Sequence, residues 1–268
     1  MSDTPDYDAY QSSFHEAFRA ELYGIVDALP AGGRALDVPC GNGFYSRRLV
    51  EHFRGRLTAV DSNDEYLQST RNAVGVGAEV LKADAYQLPF GRATFDLIWC
   101  AQSLISLDPE RAVREMFRVV KPGGVVAILE VDEFHRVLLP WPVELEAALP
   151  LAVRAATEQE YGDAVKMSPA RRLRGVLKEA GFKSVRRVTY PFDRTATFDS
   201  STAAFLTHHF GYLRSFVRSH LPRDLQKVFD RVTSPDSDDS LYREDVELVC
   251  LNAVYLARPS ETASPVAT

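Results

Sequence analysis

Apolar residues recur along this chain in two alternating rhythms, short and nearly continuous runs and longer stretches at helical spacing. Between Tyr7 and Leu29, the residues Phe14, Phe18, Leu22, Ile25, Val26 and Leu29 follow one helical repeat, which Pro30 and Gly32-Gly33 end. RALDVPC (34–40) is a strand run that meets Gly41-Asn42-Gly43 at once. FYSRRLVEHF (44–53) returns to helical spacing, with Phe44, Leu49 and Phe53 inward. LTAV (57–60), stopped by Asp61, predicts a second strand, and DEYLQSTRNAV (64–74) a helix ending before Gly75 and Gly77. EVLKAD (79–84) and FDLIWC (95–100) predict the third and fourth strands. A helix from Pro109 to Val120 closes on Lys121-Pro122-Gly123-Gly124, and VVAILEV (125–131) is the fifth strand.

Strands alternating with helices at this pitch predict parallel βαβ units with helices on both faces. The strand runs are continuous rather than alternating, as a sheet buried on both sides requires. The later chain is less regular. A helical pattern follows Pro142, and SPARRLRGVLKEAGF (168–182) is a helix with Ser168 as N-cap, Pro169 at its first position and Gly181 at its end. VRRVTYPF (185–192) and ELVCLNAVYLA (247–257) predict strands six and seven, with helical patterns at 202–218 and 222–232 between them. The expected fold class is α/β, a doubly wound, seven-stranded, mostly parallel Rossmann-like sheet with a helical cap built from insertions. Residues 1–30 are expected to form an N-terminal lid helix. Residues 31–132, 166–194 and 246–258 would be the binding core, 133–165 and 195–245 the cap, and 259–268 a flexible tail.

A net charge of −6 supplies no overall basic field for a polyphosphate partner, so nucleic acid is not expected. Cys40, Cys100 and Cys250 lie far apart in apolar runs without CxxC spacing, so the reading is buried free thiols, with no disulfide and no metal. The acidic opening MSDTPDYDAY is unlike a secretory signal, and no apolar run reaches membrane-spanning length. A cytoplasmic protein is expected, with a homodimer as the assembly entertained.

Candidate chemistry gathers where the first three strands end. In an open α/β sheet, ligands bind outside the carboxyl ends of the strands at the point where strand order reverses. Asp37 stands beside the glycine turn, Asp61 ends the second strand, and Asp84-Ala85 ends the third. Glycines at Gly41 and Gly43 allow a ligand to approach the backbone closely. A carboxylate at Asp61 suits both hydroxyls of a ribose, and one at Asp84 can accept from an adenine amino group. The turn reads Gly41-x-Gly43-x-x-Ser46, without the third glycine of a dinucleotide fingerprint. Asp37 would repel a pyrophosphate but tolerate a sulfonium with an amino acid head. A phosphate-free, cationic adenosine fits best.

LDVPCGNG, AVDSNDEYL, KADAYQLPF, FDLIWCAQSLISL and REMFRVVKPGG follow one another in the order and spacing of class I S-adenosylmethionine-dependent methyltransferases. The chain resembles the small-molecule branch of that family (methyltransferase domain type 11/25-like) over roughly residues 30–131, and the KEAGF helix with strands six and seven is similar to the end of its fold. The resemblance implies a methyltransferase that uses S-adenosylmethionine and releases S-adenosylhomocysteine. It implies Asp37, Gly41 and Gly43 for the methionine part, Asp61 with Ser62 for the ribose, Asp84 with Ala85 for adenine, and Cys100, Ala101 and Gln102 near the methyl group. Two departures stand out. Pro39 replaces the first glycine of the motif and offers no N–H, and Ile105 falls where plant-type O-methyltransferases place a histidine base.

Glu130, Asp132, Glu133 and His135 follow strand five and face the acceptor side in this topology, with His135 able to take a proton near neutrality. His208 and His209 are further base candidates, although adjacent residues diverge on a helix. Phe134, Trp141, Tyr161, Phe205 and Tyr212 are candidate acceptor-pocket residues, with Phe198, Phe210 and Phe216 nearby, and Tyr7, Tyr10, Phe14 and His15 could close over the donor. The expected partner is a small, aromatic or heterocyclic metabolite methylated at O, N or C, in a setting such as bacterial natural-product biosynthesis. Three alternatives stay open at this point, an NAD(P)-dependent oxidoreductase, a non-catalytic adenosylmethionine-binding protein and, as a lesser option, an RNA methyltransferase.

Overall fold

The computed structural model describes residues 7–131, 137–162 and 169–260. The chain divides into two compact units. One holds the described residues of Leu22–Val131, Ser168–Tyr190 and Asn252–Thr268; the other holds those of Met1–Glu21, Asp132–Met167 and Pro191–Leu251.

The first, core unit carries the parallel sheet. Its strands are β1 (Ala35–Asp37), β2 (Leu57–Asp61), β3 (Ala78–Lys82), β4 (Phe95–Ala101) and β5 (Val120–Val131). The order is β3-β2-β1-β4-β5, every neighbouring pair parallel, and β5 then pairs antiparallel with Asn252–Ala257 of β8 (Glu247–Arg258). The strand β7 (Ser184–Thr195) also pairs with β8. Chain order reverses between β1 and β4, so the switch-point crevice opens where β1 and β4 end. The helices α3 (Phe44–His52), α4 (Asp64–Val74), α5 (Pro109–Val119) and α7 (Pro169–Glu179) complete the βαβ units.

Local chemistry explains these boundaries. Asn63 caps α4 by accepting from the Glu65 and Tyr66 amides, and Asp108 caps α5 ahead of Pro109. One face of the sheet buries Leu36, Ile98, Val126, Ile128 and Tyr255 with Met116 of α5 and Leu177 of α7. Each such side chain contributes about 1.5–3 kcal/mol of burial. The other face packs Trp99 against Tyr45 of α3, with ring centroids 5.4 Å apart. Lys121-Pro122-Gly123-Gly124, expected as a turn, lies within β5, and the pairing with β4 shifts register between Phe95 and Leu97. That irregularity absorbs Pro122, which cannot donate to a ladder.

The second unit is largely helical, with α1 (Tyr7–Ala17), α6 (Val143–Tyr161), α8 (Ser200–Tyr212) and α9 (Arg223–Val232). A two-residue strand, β6 (Val137–Leu138), which the sequence pattern did not suggest, pairs with Val249 and Cys250 at the start of β8. The single helix expected to Leu29 is broken into α1 and α2 (Arg19–Asp27). No Gly or Pro marks the break. Instead, Arg194 donates to the Ala17 carbonyl at 2.6 Å and stacks its guanidinium 4.5 Å from the Phe18 ring centre, satisfying an orphan carbonyl at the end of α1. Among the described residues, no helix is long and apolar enough to cross a membrane.

Candidate active site

The turn after β1 is built from both sides. Val38 N–H donates to the Trp99 carbonyl (2.9 Å) and Cys40 N–H to the Val60 carbonyl (2.8 Å), which ties the turn to the ends of β4 and β2. Gly41 and Gly43 both adopt positive φ, 53° and 85°, the left-handed region that glycine enters freely. Their surroundings differ. A Cβ added at Gly43 would lie 2.7 Å from Thr70 Cα of α4, whereas one at Gly41 would meet nothing within 4 Å. Gly43 is therefore required by helix packing, and Gly41 is the glycine whose outer face stays open to a ligand.

Two carboxylates border that open face. The Asp61 Oδ2 accepts the Gly41 N–H at 3.0 Å and its Oδ1 accepts the Asn63 N–H at 2.9 Å. Each oxygen retains a second lone pair for a hydroxyl donor. Asp37 is buried and accepts the Ser46 hydroxyl of α3 at 2.5 Å. Burial pushes its carboxyl up to about 7, with the Ser46 bond pulling down and the Asp61 charge pushing further up. Such a group is poised to ionise when a cation settles beside it.

At the end of β3, Asp84 is exposed; its Oδ1 accepts the Tyr86 N–H at 2.8 Å, and its Oδ2 takes no hydrogen bond among the described residues. The segment after it is fixed from α5. Arg118 donates to the Phe90 and Leu88 carbonyls (2.7 and 2.9 Å), and Glu115 accepts the Leu88 N–H (2.9 Å). Sequence reasoning missed this clamp, because Arg118 and Glu115 read as ordinary charges on an amphipathic helix.

The turn after β4 stands next to the β1 turn along the same rim. Cys100 points into the apolar core, where burial raises its thiol well above the ordinary range, so only its main chain reaches the rim. Gln102 adopts φ 51°, a sparsely populated conformation for a residue with a Cβ. Glu130 holds that turn: its Oε1 accepts the Ser103 N–H at 3.1 Å and the Leu104 N–H at 2.8 Å. Glu130, a candidate base by sequence, is thus an anchor for the backbone. Ala85 is buried beside Leu88, while Ser62 is exposed and Pro39 half-buried, with a cis peptide at Val38-Pro39. Asp37, Pro39, Gly41, Asp61 and Ala101 come together on adjacent strand ends of the core unit, as their hydrogen bonds and strand register require.

The remaining candidates belong elsewhere. His135 and Phe134 lie outside the described residues, as do Asp132 and Glu133, and Tyr161 is described only as the last residue of α6. His208 is exposed and bonds its own helix at the Ala204 carbonyl, 2.9 Å away. His209 is buried in the second unit, with Nδ1 3.1 Å from the Tyr10 hydroxyl and its ring 5.9 Å from that of Phe205. Phe205, expected to line a pocket, is fully buried among Tyr10, Phe14 and Phe18 and serves that unit's own core. Trp141 likewise stacks on Phe229 and meets the edge of Phe210, whereas Tyr212 stacks on Tyr10 at 5.3 Å. All three cysteines are buried and none forms a disulfide.

Comparison with known proteins agrees with the geometry of the core unit. Residues 36–128, from β1 to β5, match the family described as Methyltransferase domain (Methyltransf_11). The ubiquinone/menaquinone biosynthesis C-methyltransferase UbiE of Klebsiella pneumoniae is 31% identical over 206 residues, covering 68% of this chain and 74% of that protein. The mitochondrial 2-methoxy-6-polyprenyl-1,4-benzoquinol methylase of Caenorhabditis elegans is 29% identical over 195 residues, 67% of this chain and 68% of that one. Among solved structures, an S-adenosylmethionine-dependent methyltransferase from Thermotoga maritima superposes with a TM-score of 0.54, at 17% identity and 95% coverage of both chains, which establishes the fold. Neither the oxidoreductase nor the non-catalytic alternative is favoured by these relatives. With a reversed-order parallel sheet, a glycine turn open at Gly41 and carboxylates in place of a phosphate cradle, the chain belongs to the class I S-adenosylmethionine-dependent methyltransferases and is an enzyme of that family.

Proposed function

We propose that this methyltransferase methylates an electron-rich, hydroxylated aromatic ring, with a ring carbon adjacent to a hydroxyl as the receiving atom. The donor half of the reading rests on one observation, the open face of Gly41 bordered by Asp61. Asp61 with Ser62 would take the ribose hydroxyls, Gly41 and Asp37 the cationic methionine end, Asp84 and Ala85 the adenine, and Ala101 with Gln102 the floor beneath the methyl group. S-adenosylmethionine supplies an electrophilic methyl on a sulfonium. The acceptor carbon forms a bond to that methyl, the carbon–sulfur electron pair returns to sulfur, and the ring then loses its proton.

The names of the relatives support the acceptor class, one a benzoquinol methylase and the other a ubiquinone/menaquinone biosynthesis C-methyltransferase.

Asp61→Asn tests the donor site. It keeps one acceptor oxygen and loses the charge, so S-adenosylmethionine affinity should fall about ten-fold or more, a charged hydrogen bond being worth ~1.5–3 kcal/mol. Unchanged affinity in a folded variant refutes the ribose assignment. Mass spectrometry of turnover with deuteriomethyl-labelled donor on phenols, hydroquinones, indoles and amines tests the acceptor. Label on a hydroquinone ring carbon is the expected result, and label confined to amines would overturn it.

A further inference from the structure

Asn252 interrupts an otherwise apolar stretch of β8, between Leu251 and Ala253, and its side chain is fully buried. Neither its Nδ2 nor its Oδ1 has a hydrogen-bond partner among the described residues. Buried polar groups are satisfied in the great majority of cases, so an amide with donor and acceptor both unpaired marks a place for a polar partner, a ligand or an ordered water.

Strand register says where this amide stands. Asp37 of β1 pairs with Trp99, Trp99 with Ala127 and Ala127 with Leu256, forming one rung across the sheet. Asn252 pairs with Val131, the last residue of β5, two side-chain repeats further out on the same strands. At about 3.3 Å per residue, that is about 13 Å beyond the Asp37 rung, toward the carboxyl rim. Side chains alternate along a strand. Ala253, Tyr255 and Ala257 face the core shared with α5 and α7, so Asn252 faces the opposite side, the side of Asp37 and Trp99. The donor residues Gly41, Asp61 and Asp84 occupy the β1–β3 part of the rim, which leaves the β4–β5–β8 part to the acceptor.

We infer that Asn252 is an acceptor-binding residue that recognises a hydroxyl on the ring to be methylated. Its Oδ1 accepts the hydroxyl proton while its Nδ2 donates to an oxygen of the same ligand, a pairing that an ether oxygen satisfies only in half. Asn252 thereby selects free phenols over their methylated counterparts and fixes the ring in one orientation. This inference rests on the aromatic-acceptor reading above.

The test separates the two. Full-length protein saturated with S-adenosylhomocysteine is titrated with 1,4-naphthohydroquinone under reducing conditions, and separately with 1,4-dimethoxynaphthalene, which has the same ring without free hydroxyls. The wild type should prefer the hydroquinone about ten-fold or more, a preference of about 1.4 kcal/mol. Asn252→Leu, close in size and without polar atoms to satisfy, should bind both alike while its S-adenosylhomocysteine affinity stays within about two-fold, since donor and acceptor sites are distinct. Asn252→Ser, which retains a hydroxyl, gives a second folded variant with an intermediate preference. A merely structural asparagine would weaken both ligands together and leave their ratio unchanged. That result overturns the assignment, as does a wild type with no preference. Failure of the wild type to bind S-adenosylhomocysteine would instead sink the donor-site reading, and this inference with it.

Discussion

Gly41 and Gly43 sit in one turn at positive φ, yet alanine at each should fail in opposite ways. At either position an L side chain in the left-handed region costs about 1–2 kcal/mol. At Gly41 nothing lies within 4 Å of the new methyl, so strain is the whole stability effect, a fall in Tm of about 2–8 °C. At Gly43 the methyl would also lie 2.7 Å from Thr70 Cα and 3.1 Å from Ala73 Cβ, and backbone cannot rotate aside. Overpacking adds about 1–3 kcal/mol, bringing the loss to about 2–5 kcal/mol out of a typical total of ~5–15 kcal/mol. Donor affinity should rank the other way. Gly41→Ala plants its methyl on the ligand side and should weaken S-adenosylhomocysteine binding about ten-fold or more, whereas folded Gly43→Ala should bind within about three-fold of wild type. Urea unfolding followed by far-UV circular dichroism reads the first quantity, and calorimetric titration well below both transitions reads the second. Equal stability of the two variants, or full affinity in Gly41→Ala, would refute the division of labour between these glycines.

Asp37 and Glu130 give two further tests. Because burial lifts the Asp37 carboxyl to about 7 from an ordinary 3.8, the folded protein holds this proton more tightly than the unfolded chain does. Its contribution to stability is therefore full below the unfolded value and is lost as pH rises through about 7. Asp37→Asn should remove that loss, so the difference in urea midpoint between variant and wild type should grow from acid to neutral pH; parallel profiles would contradict it. Glu130→Ala strands the Ser103 and Leu104 amides at about 1–3 kcal/mol each, while Glu130→Gln keeps one acceptor and should recover most of the loss. Equal destabilisation of the two variants in urea unfolding would show that the carboxylate does not anchor the turn after β4.

What could be read from the sequence was written in neighbouring residues. The strand runs, the glycine turn and the placing of acids at Asp37, Asp61 and Asp84 on strand ends all obey rules acting within one turn or one strand end, and the fold class follows from them. What tertiary structure alone decided depends on partners far along the chain. Arg194 ends α1 from 177 residues away, Glu130 holds a turn 27 residues upstream, and Thr70 fills the space behind Gly43 but not Gly41. Phe205 has the same aromatic character whether it lines a pocket or a core; only packing placed it among Tyr10, Phe14 and Phe18. Asn252 looked like one polar interruption in a strand, and its meaning came from register and alternation across the sheet. Local sequence fixes φ, ψ and periodicity, but the surroundings of a side chain are set by whichever distant segment the fold brings against it.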